Sequence, residues 1–198
     1  MKVVLATRNQ GKLVELRRIL AGIDVVGLDE YPDAPDVPET ELTFAGNALL
    51  KARAIAAHTG LPAVADDSGL AVDALNGMPG IFSARWSGRH GDDEANIDLL
   101  LRQLADVAPE HRGARFVCVA AVAWPSGEEQ TVEGHLTGHV IDARRGTNGF
   151  GYDPIFVPDD ESRTTAELSA EEKDAISHRG KAFRALAERL RDSGSTTP

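Results

Sequence analysis

Hydrophobic and polar positions along the 198 residues follow two alternating periodicities, which predicts strands interleaved with helices. Short apolar runs predict strands at 2–7, 24–28 and 61–65, and longer runs predict strands at 115–124 and 128–141. Helical spacing of apolar residues predicts helices at 13–20, 43–58, 94–104 and 170–191. Thr43 is a candidate N-cap and Gly60 a candidate stop for the second helix. This order of elements indicates an α/β protein with a mixed sheet.

The length allows one compact core, or one domain extended into two lobes around a cleft. We assign residues 1–192 to a single domain and predict a flexible tail at 193–198, where the sequence is small and polar. The single cysteine, Cys118, lies in an apolar run, which excludes a disulfide framework and favours a reducing compartment. No apolar run approaches the roughly 20 residues that span a bilayer, and no signal peptide is evident. We therefore expect a cytoplasmic protein without a membrane partner.

The formal net charge of −10 argues against a nucleic-acid partner, because an acidic surface repels phosphate backbones. A small phosphorylated ligand remains compatible with this charge. Its binding requires a local group of donors or a divalent cation.

Two adjacent carboxylates, Asp66 and Asp67, follow the apolar run at 61–65, which reads as a buried strand. A buried carboxylate is normally paired or bound to a metal. Hard oxygen ligands suit Mg²⁺, which proteins hold with one or two carboxylates together with substrate phosphates. The equally weighted alternative is that one aspartate caps a turn and the other pairs with an arginine.

The loop ATRNQGK joins the first predicted strand to the first helix, a place where backbone N–H groups favour an anion. Lys12 can reach a phosphate oxygen there, with Thr7 and Asn9 as further donors. The alternative is a solvated loop with a capping asparagine. The segment PETELTF offers a similar choice, since Glu39 or Glu41 is either a metal ligand or a helix cap.

Two further polar segments, GTNGFGYDP and SHRGK, follow the last predicted strand. Phe150 lies between two glycines, which gives a base access to its ring for stacking. Ser177, His178 and Arg179 place three side-chain donors in sequence, and Lys173 lies one helical turn before them. The alternative for His178 is an ordinary surface histidine.

The stretches TRNQGK, TFAGNALLKA, ADDSGL, NGMPGIFSARWSG, FGYDPIF and SHRG, in this order, resemble the inosine/xanthosine triphosphate pyrophosphatase family over almost the whole chain. One departure is Gly46, where bacterial relatives often carry glutamate. The resemblance implies an elongated mixed sheet with flanking helices, forming two lobes around a central cleft. It also implies a homodimer that uses Mg²⁺ to hydrolyse non-canonical purine triphosphates to the monophosphate and diphosphate.

The resemblance also implies roles for individual residues. Asp67 becomes the general base and a metal ligand, and Asp66 and Glu39 become supporting metal ligands. The implied substrate contacts are Thr7, Arg8, Asn9, Gln10, Gly11, Lys12, Ser68, Phe150, Gly151, Tyr152, Asp153, Lys173, His178 and Arg179. Within this set, Thr7, Asn9 and Lys12 hold the phosphate chain, and the residues from Phe150 onward hold the base and sugar.

Two alternatives stay open at this point. A Maf-like nucleotide pyrophosphatase has similar architecture but acts on pyrimidine or modified nucleotides, and the SHRG segment argues against it. A regulator that binds nucleotides without turnover needs no general base, so the intact Asp66–Asp67 pair argues against that alternative.

Overall fold

A computed structural model describes residues 2–194, which form a mixed sheet with flanking helices. The strands are β1 (Lys2–Leu5), β2 (Asp24–Val26), β3 (Ala63–Val72), β4 (Met78–Pro79), β5 (Gly113–Ala123), β6 (Glu129–Val140) and β7 (Phe156–Pro158). The α-helices are α1 (Gln10–Ile19), α2 (Phe44–Thr59), α3 (Asp93–Gln103), α4 (Ala170–Ile176) and α5 (His178–Gly194).

The strands follow the order β2-β1-β3-β5-β6-β7, and β4 pairs with β3. β1 runs parallel to both β2 and β3, with Val4 opposite Ala63. β4 runs antiparallel to β3, and β7 runs antiparallel to β6, with His139 opposite Val157. Parallel and antiparallel pairs therefore coexist in one sheet, as the sequence predicts.

The described chain forms two compact units, each built from separate segments of sequence. The first comprises 1–67, 118–134 and the chain from 179 onward. Helices cover both faces of its strands. Successive side chains of a strand point to opposite faces, so each strand contributes to both layers. Val64 packs with α1 and α5, represented by Leu16 and Phe183, whereas Ala63 packs with α2, represented by Ala52.

The second unit comprises 68–117 and 135–178. Its core joins one face of α3, including Ile97 and Leu100, to apolar side chains of the sheet. Phe116 and Phe156 lie at the centre, with ring centroids 4.6 Å apart. This core supports the loops at 76–91 and 146–155.

Both predicted ends of α2 are confirmed. The Thr43 side-chain oxygen accepts a hydrogen bond from the Gly46 amide at 3.0 Å, as an N-cap does. Gly60 ends the helix with φ at +68°, a left-handed conformation that glycine adopts without steric cost.

Two element predictions need correction. β3 does not end at the acidic pair but continues to Val72, because Leu70 and Val72 extend the buried apolar face. The helix predicted at 170–191 is divided at Ser177, whose extended backbone (ψ 149°) ends α4 before α5 begins. His178 and Arg179 thus open a new helix.

Within residues 2–194, no helix is both long and apolar enough to cross a membrane. α5 extends to Gly194, and residues 195–198 of the predicted tail lie outside the described residues. The assignment of 1–192 to a single domain stays a prediction.

Candidate active site

The loop between β1 and α1 is ordered by its own side chains. The Asn9 side-chain oxygen accepts from the Lys12 amide at 3.1 Å and so caps α1. The Thr7 hydroxyl oxygen accepts from the Asn9 amide at 3.2 Å. The capping alternative therefore holds for Asn9, and it leaves the Lys12 side chain directed at β3.

The other residues of this loop are placed differently. Arg8 lies against the proline-rich loop that precedes Glu39, with Nε 2.8 Å from Asp36 Oδ1 and Nη2 2.7 Å from the Ala34 carbonyl oxygen. Gln10 and Gly11 form the exposed first turn of α1. Arg8 thus holds the loop that leads to the acidic residues.

Asp66 is buried between two cations. Its Oδ2 lies 2.9 Å from Lys12 Nζ and 3.5 Å from Arg179 Nε. Burial alone raises the pKa of a carboxyl, but here Lys12 and Arg179 outweigh burial and hold the pKa of Asp66 far below its usual range. Asp66 is therefore a permanent anion that keeps two cations in place.

Arg179 also binds a residue that the sequence analysis missed. Its Nη1 donates to Glu15 Oε2 at 2.8 Å, and both side chains are buried. Burial lowers the pKa of Arg179, but Asp66 and Glu15 more than offset this and raise it above its usual value. The available signal was a charged residue inside the apolar stripe of α1, between Leu13 and Leu16.

Asp67 points to the opposite face of β3, as strand geometry predicts, and meets α2. Its Oδ2 accepts from Asn47 Nδ2 at 3.0 Å, and its Oδ1 lies 3.8 Å from Lys51 Nζ. Burial raises the pKa of Asp67 to about 6, with a further increase from Glu39 and an opposing effect from Lys51. Asp67 is thus poised to exchange a proton near neutral pH.

Lys51 lies between two carboxylates, since its Nζ is also 3.0 Å from Glu39 Oε1. Burial lowers the pKa of Lys51, but Asp66, Asp67 and Glu39 outweigh burial and raise it. This contact favours Glu39 over Glu41 as the glutamate of the acidic group. Glu41 is exposed, and it contributes through its backbone amide, which donates to Asn47 Oδ1 at 2.9 Å.

Asn47 and Lys51 are therefore site residues that sequence reasoning missed. They lie four positions apart on α2, so they share one helical face. Asn47 is fully buried there, beside the apolar Ala48. Two polar residues on the inward face of an otherwise apolar helix were the available signal.

The donor set around Lys51 fits a divalent cation. Glu39 and Asp67 present carboxylate oxygens to one shared positive charge, the arrangement by which proteins hold Mg²⁺ with few ligands. Over residues 2–194, no three His, Cys, Asp or Glu side chains are grouped as a complete metal cage. A cation here therefore requires further oxygens from a phosphorylated ligand or water.

The second unit contains an aromatic platform with a charged edge. Lys173 Nζ lies 5.1 Å from the centroid of the Phe150 ring, and it also pairs with buried Asp153. Asp153 Oδ2 accepts from the Phe150 amide at 2.8 Å, and Oδ1 accepts from the Thr165 hydroxyl at 2.8 Å. Phe150 is 38% exposed as a residue, which leaves it accessible for stacking on a ligand.

Gly151 and Tyr152 connect this platform to the rest of the second unit. The Gly151 amide donates to Asp93 Oδ2 at 2.7 Å, and the Tyr152 hydroxyl donates to the Ser83 carbonyl oxygen at 2.9 Å. Burial, with a smaller effect of Asp93, raises the pKa of Tyr152 well above its usual value. Tyr152 thus remains a neutral donor within the core.

The SHRG residues divide between the two units. The His178 ring stacks on Phe116, with centroids 4.9 Å apart and an interplanar angle of 13°. Arg179 belongs to the group around Asp66 and Glu15 in the first unit. Ser68 follows Asp67 on β3 and is the first residue of the second unit.

Lysine and arginine side chains held beside an acidic pair, on a mixed α/β sheet, are suited to an enzyme that acts on a phosphorylated substrate. The chain belongs to the Ham1 family, whose model matches residues 3–189.

Relatives and solved structures agree with this assignment. A dITP/XTP pyrophosphatase from Streptomyces coelicolor is 66% identical over 195 residues, covering 96% of this chain and 98% of that protein. Another from Mycobacteroides abscessus is 55% identical, with both chains covered completely. The Ham1 protein of Staphylococcus aureus, 43% identical, superposes with a TM-score of 0.88 over 98% of this chain and all of its own. The family resemblance and the fold class predicted from sequence are both confirmed.

Proposed function

We propose that this chain hydrolyses the non-canonical purine nucleotides dITP, ITP and XTP between the α and β phosphates, releasing monophosphate and diphosphate and so cleansing the nucleotide pool. The whole-length match carries the proposal, because a dITP/XTP pyrophosphatase is 66% identical over 96% of this chain.

Lys12 binds the phosphate chain. Its ammonium is held by Asp66 at 2.9 Å, and its side chain keeps 18% exposure through which a phosphate oxygen can approach. Thr7 and Asn9 stabilise the loop at the start of α1, where backbone amides favour an anion. Fixed positive charge at this point supports binding of a triphosphate by an acidic protein.

Glu39 and Asp67 would hold the divalent cation, which we take to be Mg²⁺, and Asp66 would support them from the other face of β3. When bound, the ion neutralises phosphate charge and lowers the pKa of a coordinated water. Lys51, which both carboxylates share, balances their charge in the metal-free protein.

Asp67 removes the proton from the attacking water. In the metal-free protein its pKa of about 6 leaves it mostly ionised at neutral pH, as a proton acceptor must be. The hydrogen bond from Asn47 at 3.0 Å fixes the orientation of the carboxylate. Positioned general bases of this kind contribute roughly 10²–10⁴-fold to rate.

The purine base stacks on Phe150, beside Lys173 and Asp153, with Gly151 and Tyr152 shaping the loop. The 6-oxo group of hypoxanthine and xanthine accepts hydrogen bonds from Ser177, His178 and Arg179. The 6-amino group of adenine is a donor and cannot accept those hydrogen bonds, a mismatch that can cost on the order of 10⁴ in rate.

The alternatives are less well supported. The Ham1 match and the names of the relatives favour a purine substrate over the pyrimidine substrates of the Maf-like alternative. A binding regulator has no need for the raised pKa of Asp67 beside a buried lysine.

Diphosphate release from ITP, XTP, dITP, GTP, ATP and dUTP, with Mg²⁺ and with EDTA, tests the proposal. We expect metal-dependent release confined to ITP, XTP and dITP. Release from dUTP would favour the Maf-like alternative. Binding of ITP without release of diphosphate would favour the regulator.

The same family resemblance leads us to propose a homodimer in the cytoplasm. The only cysteine of the sequence, Cys118, is buried, which suits a reducing compartment.

A further inference from the structure

Asp93 makes a contact that none of the sequence motifs includes. It lies in the first turn of α3, and its Oδ2 accepts a hydrogen bond from the Gly151 amide at 2.7 Å across 58 positions of sequence. A short hydrogen bond to an ionised acceptor is roughly twice as strong as a neutral one. The contact therefore ties α3 to the loop that presents Phe150.

That loop depends on such side-chain contacts. Gly149 and Gly151, on either side of Phe150, have φ values of +77° and +60°, and neither lies in a helix or strand. Asp153 holds the Phe150 amide, and Asp93 holds the next amide. Two carboxylates thus define where the exposed ring of Phe150 points.

The neighbouring carboxylate, Asp92, has a different task. Its Oδ1 accepts from the Ala95 amide at 3.2 Å and caps α3. Asp92 and Asp93 are identical residues at adjacent positions. A comparison of alanine variants at the two positions therefore separates the effect of helix capping from the effect on the loop.

We propose that Asp93 is a positioning residue for the purine platform, acting through the Gly151 amide to hold Phe150 in its stacking orientation. The inference rests on the proposed function. Stacking on an aromatic ring tolerates any purine, so Asp93 sets the affinity for the base without choosing between bases.

The test compares Asp93→Ala, Asp93→Asn and Asp92→Ala in the full chain. Loss of a charge-assisted hydrogen bond predicts that Asp93→Ala raises KM about tenfold for both ITP and XTP. Loss of ground-state binding leaves kcat within about threefold of wild type. Asp93→Asn keeps an acceptor oxygen and restores KM to within about twofold. Asp92→Ala lowers Tm through loss of the cap and keeps the wild-type KM.

A second measurement does not depend on activity. Hydrogen exchange of the Gly151 amide in the nucleotide-free protein should be accelerated by Asp93→Ala and not by Asp92→Ala. An unchanged KM in Asp93→Ala, or a KM change confined to one base, would overturn the inference. If the wild type hydrolyses none of the nucleotides, the proposed function fails, whereas the exchange rates still test the Asp93–Gly151 contact.

Discussion

Asp66 and Asp67 are adjacent and chemically identical, yet the protein shifts their pKa values in opposite directions. Asp66 faces Lys12 and Arg179, which stabilise its charge. Asp67 faces Asn47 and a more distant Lys51, so burial dominates. The alternating faces of one strand thus separate a structural anion from a proton acceptor.

Replacement of Asp67 by asparagine should abolish most turnover while nucleotide binding persists.

Replacement of Asp67 by asparagine should also stabilise the metal-free protein at pH 8. The pKa of Asp67 is raised to about 6 in the folded state, so the protonated carboxyl stabilises the fold. This contribution to the free energy of unfolding is complete below about pH 4 and is lost as pH rises through about 6. At 1.36 kcal/mol per pKa unit, the variant should gain up to roughly 3 kcal/mol at pH 8 and little at pH 4. Urea unfolding in EDTA at both pH values measures this.

Asp66→Asn is the matched control, with the opposite sign. The lowered pKa of Asp66 stabilises the fold above the unfolded pKa near 4, and this contribution is lost only as pH falls through the folded-state value. The variant should therefore be less stable than wild type at pH 8. Equal shifts for the two variants would contradict the separate environments of the pair.

Replacement of Lys51 by methionine should raise the pKa of Asp67 above 6 in the metal-free protein, because the largest opposing charge is lost. Carboxyl ¹³C NMR of Asp67 measures the change. Arg53→Met is the control, since Arg53 lies on the same helix but pairs with Glu129 at the surface. A pKa shift in both variants would show that general charge, and not the Lys51 contact, sets the value.

Local sequence chemistry predicts several of these residues and misses others for a physical reason. Lys12 and Glu39 lie next to turns, and Asp66 and Asp67 interrupt the apolar pattern of β3, so local sequence marks all four. Glu15 and Asn47 lie inside helices, where their inward position is a weak signal, and their roles depend on the tertiary partners Arg179 and Asp67. The function of such residues depends on which buried group the fold brings opposite them.

At the scale of elements, too, features set by local sequence are predictable and features set by tertiary contacts are not. The ends of α2 depend on Thr43 and Gly60 alone, through a cap and a left-handed turn, and both were predictable. The break at Ser177 was not predictable, because the apolar spacing of a single helix continues across it from Ile176 to Phe183. These two side chains enter different cores, and that separation is a tertiary fact.

The cap of α2 gives a prediction at this scale. Thr43→Ala removes the acceptor of the Gly46 amide and should lower the free energy of unfolding by about 1 kcal/mol. Chemical denaturation measures the loss. Thr43→Ser retains the hydroxyl and should remain close to wild type, whereas an equal loss in both variants would assign the effect to packing of the Thr43 methyl group.

At the scale of the whole molecule, the net charge of −10 describes the surface and not the site. Lys12, Lys51 and Arg179 have side-chain exposures of 18%, 16% and 3%, each against a carboxylate. Composition alone therefore argues against a nucleic-acid partner without revealing where an anionic substrate binds. The order of motifs over the whole chain provided that information, through the family resemblance.

The first unit combines early and late segments of the chain, and this has a consequence for biosynthesis. Glu15 and Arg179 are 164 positions apart, and the core around α1 needs Phe183 and Leu186 of α5. The loop at 6–12 and the acidic pair are synthesised long before α5, whose Arg179 pairs with Asp66 and Glu15. A nascent chain that lacks α5 leaves the apolar residues that pack on Phe183 and Leu186 uncovered and leaves Asp66 without Arg179, so this unit is completed only near the end of translation.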